Sequence, residues 1–458
     1  MPRAGAPPLE PEPAAMSLRL LVLSIVQLLV AAAASAQVPT GYVSLFGDYF
    51  PNRSDTTELR ARLFVEEKAE KAIDSNRVVV TASGFVEGLF SRRVVPDSGR
   101  GLQAVNGGIA RVLDANADVL TKRVDVLVGY ARIVWGKLDE IQPTDVINPL
   151  DVSRFFFEGR SEARLPVLVG RVRFHLSENM TLDGVYLPDF RRGRFDQLDE
   201  PSSPFNLPVS VAQDPASCLP AGCLAALPVD DQAPAFTAGN AQGGVRMSTT
   251  SGRVDWSVSA FRGFESFGLY SFESVTAFPP VAPPTIDVIY PRFTMIGADF
   301  ESVRGKWGMR GEVAGFVDDN FQSADLRVVK GHSLDAGVGV DRSAGDYTLS
   351  GTVLVHSESY DSPIRIPDND TRLSDGRTDV SLIFSADRTF ARERYRFRGF
   401  GVYGASSQSG FLRGIFMANL RDNLALEASV GWFAGQGEDL IGRFSDSDFA
   451  YLRMKYYF

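Results

Sequence analysis

From residue 42 to its end the chain repeats one device: a segment of about ten residues, apolar at every second position, closed by turn residues. "RVDVLVGYARIV" (123–134), "RVDWSVSAF" (253–261), "DYTLSGTVLVH" (346–356) and "LALEASVGWF" (424–433) are examples. Alternation at 180° per residue means strands with one apolar and one polar face, and no window sustains a helical period. The connections alternate in length. Tight polar turns fall at 421–423, 342–346, 304–306, 251–253 and 176–179. Long loops fall between them, at 434–447, 358–377, 317–332, 263–291, 191–240 and 135–163. Short turns on one rim and long loops on the other define a transmembrane antiparallel β-barrel, whereas a soluble sandwich has little reason to keep that parity. Placing strands this way predicts an all-β fold of about 18 strands (16 to 18), from "GYVSLFGDYF" (41–50) to "FAYLRMKYYF" (449–458), both termini on the short-turn side.

The chain has 458 residues, 44% hydrophobic and 22% charged, enough to bury a large apolar surface. Residues 1–36 read as upstream sequence plus a cleavable export signal. Arg19 forms a basic n-region, 20–30 an apolar h-region, and Ala34-Ser35-Ala36 a cleavage site. The barrel is then expected over 37–458. No later apolar run reaches the ~20 residues that a spanning helix needs. The two cysteines, Cys218 and Cys223 in "SCLPAGC", read as a local disulfide in an oxidising compartment. In the last strand Leu452, Met454, Tyr456 and Phe458 share one face. That aromatic ending, with Tyr456 and Phe458, resembles the recognition signal of bacterial outer-membrane proteins. It implies insertion by the outer-membrane assembly machinery into a lipid bilayer.

If the apolar register faces lipid, the other lines the interior, and it is arginine-rich. Arg60 and Arg62 beside Glu58, Arg171 and Arg173 beside His175, Arg310 beside Glu312, Arg396, and Arg453 all fall on it. The net charge of −9 is untouched by removing residues 1–36, which hold two acidic and two basic residues, so the acids concentrate in the loops. A basic interior beneath acidic loops would favour anionic solutes. The alternative is an arginine–carboxylate network that rigidifies the barrel. Either way, this register argues against a lumenal path for hydrophobic molecules. Tyr42, Tyr49, Phe50, Trp256, Tyr347, Trp432, Tyr456 and Phe458, near strand ends, fit an interfacial aromatic girdle.

Chemistry is sparse. Only three histidines occur, His175, His332 and His356, none with a metal-ligand neighbour at helical or hairpin spacing, and no nucleophile elbow or phosphate-binding loop is present. The chain is not expected to be an enzyme, to carry a cofactor or to bind nucleic acid. Asp368, Asp370 and Asp375 make an oxygen-rich loop that could take Ca²⁺ or simply be solvated.

The stretch from Arg132 to Phe195 holds the most individual motif: "RIVWGKLD" (132–139), then "DVINPLD" (145–151), a strand, and "LDGVYLPDF" (182–190). The run R-x-x-W-G-K-x-D followed by D-x-x-N-P-x-D resembles a family of bacterial outer-membrane proteins of undefined function, porin-like in character. The resemblance implies a porin-like barrel with periplasmic termini, and it carries over no catalytic residues. Pro143 and Pro149 remove donors and fix φ, so the loop is stiff. Asp139, Asp145 and Asp151 can cap turns. If the loop folds inward, its acids and Asn148 would meet Arg132, Arg171 and Arg173 at a constriction. Otherwise it is a rigid extracellular cap. The expected function is passive passage of small polar or anionic solutes by a monomer or homo-oligomer. A non-conducting scaffold that binds a partner through its long loops is the alternative.

Overall fold

The computed structural model describes residues 39–52, 57–94, 102–152, 156–194, 229–271, 286–366, 372–435 and 441–458. The strands in chain order are β1 (Thr40–Tyr49), β2 (Thr57–Ile73), β3 (Asn76–Val94), β4 (Leu102–Leu120), β5 (Val124–Ala131), β6 (Val167–Ser177), β7 (Met180–Leu187), β8 (Val229–Asp231), β9 (Gln242–Ser251), β10 (Val254–Phe264), β11 (Leu269–Ser271) and β12 (Ile286–Ile289). They continue with β13 (Arg292–Arg304), β14 (Trp307–Gln322), β15 (Val328–Ala344), β16 (Tyr347–Arg365), β17 (Leu373–Phe390), β18 (Tyr395–Gly404), β19 (Ser409–Arg421), β20 (Leu424–Ala434) and β21 (Phe449–Tyr457). Eighteen of them form one sheet in which each strand pairs antiparallel with the next. β21 pairs back onto β1, Tyr42 opposite Tyr457, and closes the ring. β8, β11 and β12 make a separate three-stranded sheet among the loops. Closure leaves no outer edge at the first or last strand, which is how an antiparallel sheet avoids open-ended association.

The expected strand number, parity and first and last strands are all present. Two connections differ. The stretches 317–332 and 358–377 are mostly strand, because β14 runs to Gln322, β15 starts at Val328, β16 runs to Arg365 and β17 starts at Leu373. "VDDNFQ" is polar on both faces, so the apolar alternation stops there. The backbone ladder resumes at Asp319 after an irregularity past Phe316, fastened inside by the Asp319 carboxylate accepting from the Ser333 hydroxyl. An apolar pattern marks where a barrel meets an apolar medium, not where its hydrogen bonds end.

The wall is uneven. β3, β4 and β16 have 19 residues each, while β5 and β7 have 8. The outward register is apolar and exposed around the ring: Leu45, Leu59, Val86, Phe174, Val258, Ile296, Val338, Val353, Phe384 and Leu412 are among its members. A continuous band of this kind is far more apolar surface than water-facing proteins leave open. Among the described residues no helix is long and apolar enough to cross a membrane. Of the aromatic girdle, Tyr49, Trp256, Tyr347, Trp432, Tyr456 and Phe458 are exposed on the outside. Tyr42 and Phe50 are not part of it. They share the inner register with Ser44, Phe46 and Asp48, so Phe50 is buried and Tyr42 stacks on Phe64 with ring centroids 5.0 Å apart.

Candidate functional site

The connection between β5 and β6, residues 132–166, turns into the barrel instead of covering its mouth. Its base is built by the D-x-x-N-P-x-D motif. Asn148, buried, accepts the Ile133 N–H at 2.7 Å through Oδ1 and donates through Nδ2 to the Leu165 carbonyl at 2.7 Å and the Ala131 carbonyl at 3.3 Å. One amide thus clasps the incoming and outgoing ends of the loop. Asp145 accepts from Arg164 Nε at 2.8 Å and Nη2 at 2.6 Å, a two-pronged pair, and from the Trp135 N–H at 3.3 Å. Asp151 accepts from Arg111 on β4 at 2.6 Å, with Arg194 at 3.7 Å.

Above that base Trp135 is buried against Phe261 in a cluster with Ile133, Ile147, Val167, Val169, Val185, Leu187, Phe293 and Met295. The wall members point inward. The inner face is therefore apolar near the loop and basic lower down, as in β6, where Val167 and Val169 share a register with Arg171 and Arg173. A strand end buried on both faces reads as a continuous apolar run, and "PVLV" (166–169) is one.

Farther out the loop is gripped twice. Gly136 has φ +102, a backbone conformation that favours glycine, and a Cβ there would stand 2.9 Å from Glu312 Oε1. The absent side chain lets the Glu312 carboxylate on β14 accept from the N–H groups of Lys137, of Leu138 at 2.5 Å and of Thr144 at 3.2 Å, and from the Thr144 hydroxyl at 3.1 Å. Around it Asp139 pairs with Arg310 at 2.7 Å, Lys137 with Glu301 at 3.3 Å, and Glu140 with Arg398 on β18. Burial raises the Glu140 carboxyl above its ordinary value, against the opposing pull of Arg398. Leu138 completes this grip by packing with Leu354 and Ile383.

The second grip is aromatic. Phe157 lies among Phe46, Phe50, Phe411, Phe433, Phe444, Phe449 and Tyr451 on the opposite wall. Its carbonyl accepts from Arg413 Nη2 at 3.2 Å and Arg453 Nη2 at 3.3 Å. Glu158 accepts from Arg62 at 2.7 Å, and Arg62 also donates to Glu87 at 2.7 Å. Arg60 is buried over the Phe46 ring, its guanidinium carbon 3.9 Å from the centroid.

This geometry carries the loop 132–166 across the inside of the ring, from β14 and β18 to β2 and β21. Residues 91–371, more than half of the chain, match the family described as "Protein of unknown function (DUF1302)". The chain belongs to the DUF1302 family. No match was found among curated proteins. Among solved structures this DUF1302 chain is similar to OccK5 (OpdH) of Pseudomonas aeruginosa, at 10% identity and TM-score 0.48, covering 92% of this chain and 97% of that one. It is similar to a BenF-like porin from Pseudomonas fluorescens Pf-5, at 12% identity and TM-score 0.46, covering 92% and 97%. OccK2 (OpdF) of Pseudomonas aeruginosa in complex with glucuronate gives 11% identity and TM-score 0.46, covering 92% and 94%. At these values the barrel stands on its own strand register.

The expected partners of the loop acids in this DUF1302 chain are corrected. Arg132 pairs with Asp114 at 2.6 Å, and Arg171 and Arg173 both turn to Asp183 on the neighbouring strand, Arg173 at 3.5 Å. Carboxylates on β4 and β7 pair with these arginines. The loop acids instead reach Arg310, Arg164, Arg111 and Arg398. Arg396 pairs with Asp387 on the adjacent β17. Arg60 and Arg453 are buried beneath Phe157. Sequence reading missed the anchoring roles of Glu312, Phe157, Glu158 and Arg164. The run "FFFE" (155–158), apolar within a loop, is the signal that could have found two of them. Cys218, Cys223, Asp368, Asp370 and residues 1–36 lie outside the described residues. Asp375 is exposed on β17, and among the described residues no group of three or more potential ligands could hold a metal ion.

Proposed function

We propose that this chain is an outer-membrane, porin-like channel whose constriction is the loop 132–166, passing small polar or anionic solutes. The observation that carries this reading is the loop itself: one connection is fastened to β14 and β18 on one side and to β2 and β21 on the other. The exposed apolar outer register supports placement in a bilayer. The export signal and the aromatic last strand, Tyr456 and Phe458, support the outer membrane and insertion by its assembly machinery.

Most interior arginines are matched by carboxylates, which stiffens the wall and dilutes its field. The excess that remains is local. Arg171 and Arg173 share Asp183, and the Arg173 side chain is 37% exposed. These two supply the anion preference in this reading. In planar bilayers the wild type is expected to give discrete conductance steps, and replacing 137–145 by a glycine–serine linker is expected to enlarge them. A salt-gradient reversal potential should show anion preference that Arg171→Glu reduces. Absence of steps in both wild type and linker variant would overturn the channel, and cation preference in the wild type would overturn the anionic assignment.

A further inference from the structure

The ring of strands has a seam. β5 pairs with β4 only between Ala115 and Val119, because β5 ends at Ala131 where the chain turns inward. Among the described residues no strand pairs with β4 above Ala115 on that side, so the upper part of β4 is an edge of the described sheet. A bulge marks the spot: Ser83 faces Asp114 and Gly84 faces Val112, which leaves Leu113 over. Backbone groups cannot stand unpaired against lipid, so such an edge at membrane depth must border protein or a cavity.

A cavity of about 720 Å³ lies there. Its lining comes from both faces of the sheet. Leu63, Val86 and Leu168 belong to the outer register, and Leu63 and Val86 are 40% and 53% exposed. Phe85 and Arg111 belong to the inner one, so the cavity wraps this edge of the described sheet and has lining from both faces of the wall. At the inner mouth Arg191 donates to the Pro166 carbonyl at 2.5 Å, and no carboxylate is paired with it among the described ion pairs. Burial, then the charge of Arg111, lowers its pKa to about 10, so the cation persists at neutral pH.

We propose that this cavity is a lateral site for a single-chain amphiphile with an anionic head, such as a long-chain carboxylate. The apolar body lies along the outer-register side chains and the head sits beside Arg191. Of the other charged groups in the lining, Arg111 and Arg194 stand at Asp151, Asp114 is held by Arg132, and Asp189 lies two residues before Arg191 in the chain. The volume falls within the about 300–1,000 Å³ of small-molecule sites, which fits one chain better than a two-chain lipid. The arginine register closes the lower lumen to hydrophobic molecules, but it does not extend to this seam. The proposal rests on the barrel standing in a membrane and not on its conducting ions.

The full chain in phosphatidylcholine nanodiscs would be labelled with a photoreactive palmitate carrying a mid-chain diazirine, and the adducts mapped by mass spectrometry. Adducts are expected on 63–65, 82–86 and 109–115, displaced by unlabelled palmitate but not by hexadecanol or acetate. Arg191→Gln should weaken that displacement about tenfold, the loss of one charged hydrogen bond, and Leu168→Trp, which adds bulk to the outer-register lining, should lower the yield of adducts. Adducts spread evenly over the apolar belt, or Arg191→Gln behaving as wild type, would overturn the site. Loss of labelling when phosphatidylglycerol replaces phosphatidylcholine would overturn the single-chain assignment in favour of a bilayer lipid. Conductance measured separately on the same protein keeps this outcome distinct from the fate of the channel reading.

Discussion

The two grips on the inward loop use different forces. At Glu312 one carboxylate gathers three backbone N–H groups and a hydroxyl, and at Phe157 a ring is sunk into a cluster of aromatic side chains. The first is directional: it specifies where Lys137, Leu138 and Thr144 stand, and it fails if the acceptor moves by an ångström. The second is not. It contributes area and packing and tolerates small shifts, but it holds more free energy per residue. Position is therefore set on the β14 side and adhesion on the β21 side.

Removing the aromatic grip should have the largest effect. Phe157→Ala empties a site that is 1% exposed and leaves a cavity among seven rings, a loss of about 3–5 kcal/mol. Urea unfolding of the folded barrel should show a lower midpoint, and single-channel records should show added current noise from a loosened loop tip. An unchanged midpoint would mean that the Phe157 cluster does not bear on stability.

Glu312→Ala should rank second in stability and first in conductance. It strips the acceptor from three N–H groups at once, but water entering the emptied site re-solvates them, so the net loss is about 1–3 kcal/mol. Glu312→Gln keeps one acceptor oxygen and should recover part of the loss. The expected signature is a larger or more variable conductance step with a smaller midpoint shift than Phe157→Ala. The reverse order in both readouts would refute the division between position and adhesion.

The barrel was legible in the sequence because strand alternation and turn chemistry are local. "SGR", "RGK" and "RDN" each announce a hairpin within three residues, and the structure places β9–β10, β13–β14 and β19–β20 around them. The interior partnerships were not legible, for a geometric reason. Asp139 and Arg310 are 171 residues apart, and Glu140 and Arg398 are 258 apart. Closing the ring and folding the loop inward brings them together, and alternation carries no information about which inward residue a loop will meet. Arg171 shows the same limit from the other side. Its inward face was readable, but its claim by Asp183, one hairpin away, depends on cross-strand register: Arg171 stands opposite Val185 and Arg173 opposite Asp183.

The smallest effect tests whether the loop matters more than the wall. Arg396 and Asp387 form an ion pair on neighbouring strands away from the loop, with the Arg396 side chain 46% exposed. Water competes for such a pair and salt screens it, so Arg396→Ala should cost only about 0.2–1 kcal/mol. Asp387 also faces Arg398, at 3.7 Å, and can turn to it when Arg396 is removed. Arg398 in turn holds Glu140 of the loop. The expected readout is an unfolding midpoint almost unmoved and a conductance step altered less than in Glu312→Ala. A conductance change as large as that of Glu312→Ala would shift control of the passage from the two grips to the wall arginines.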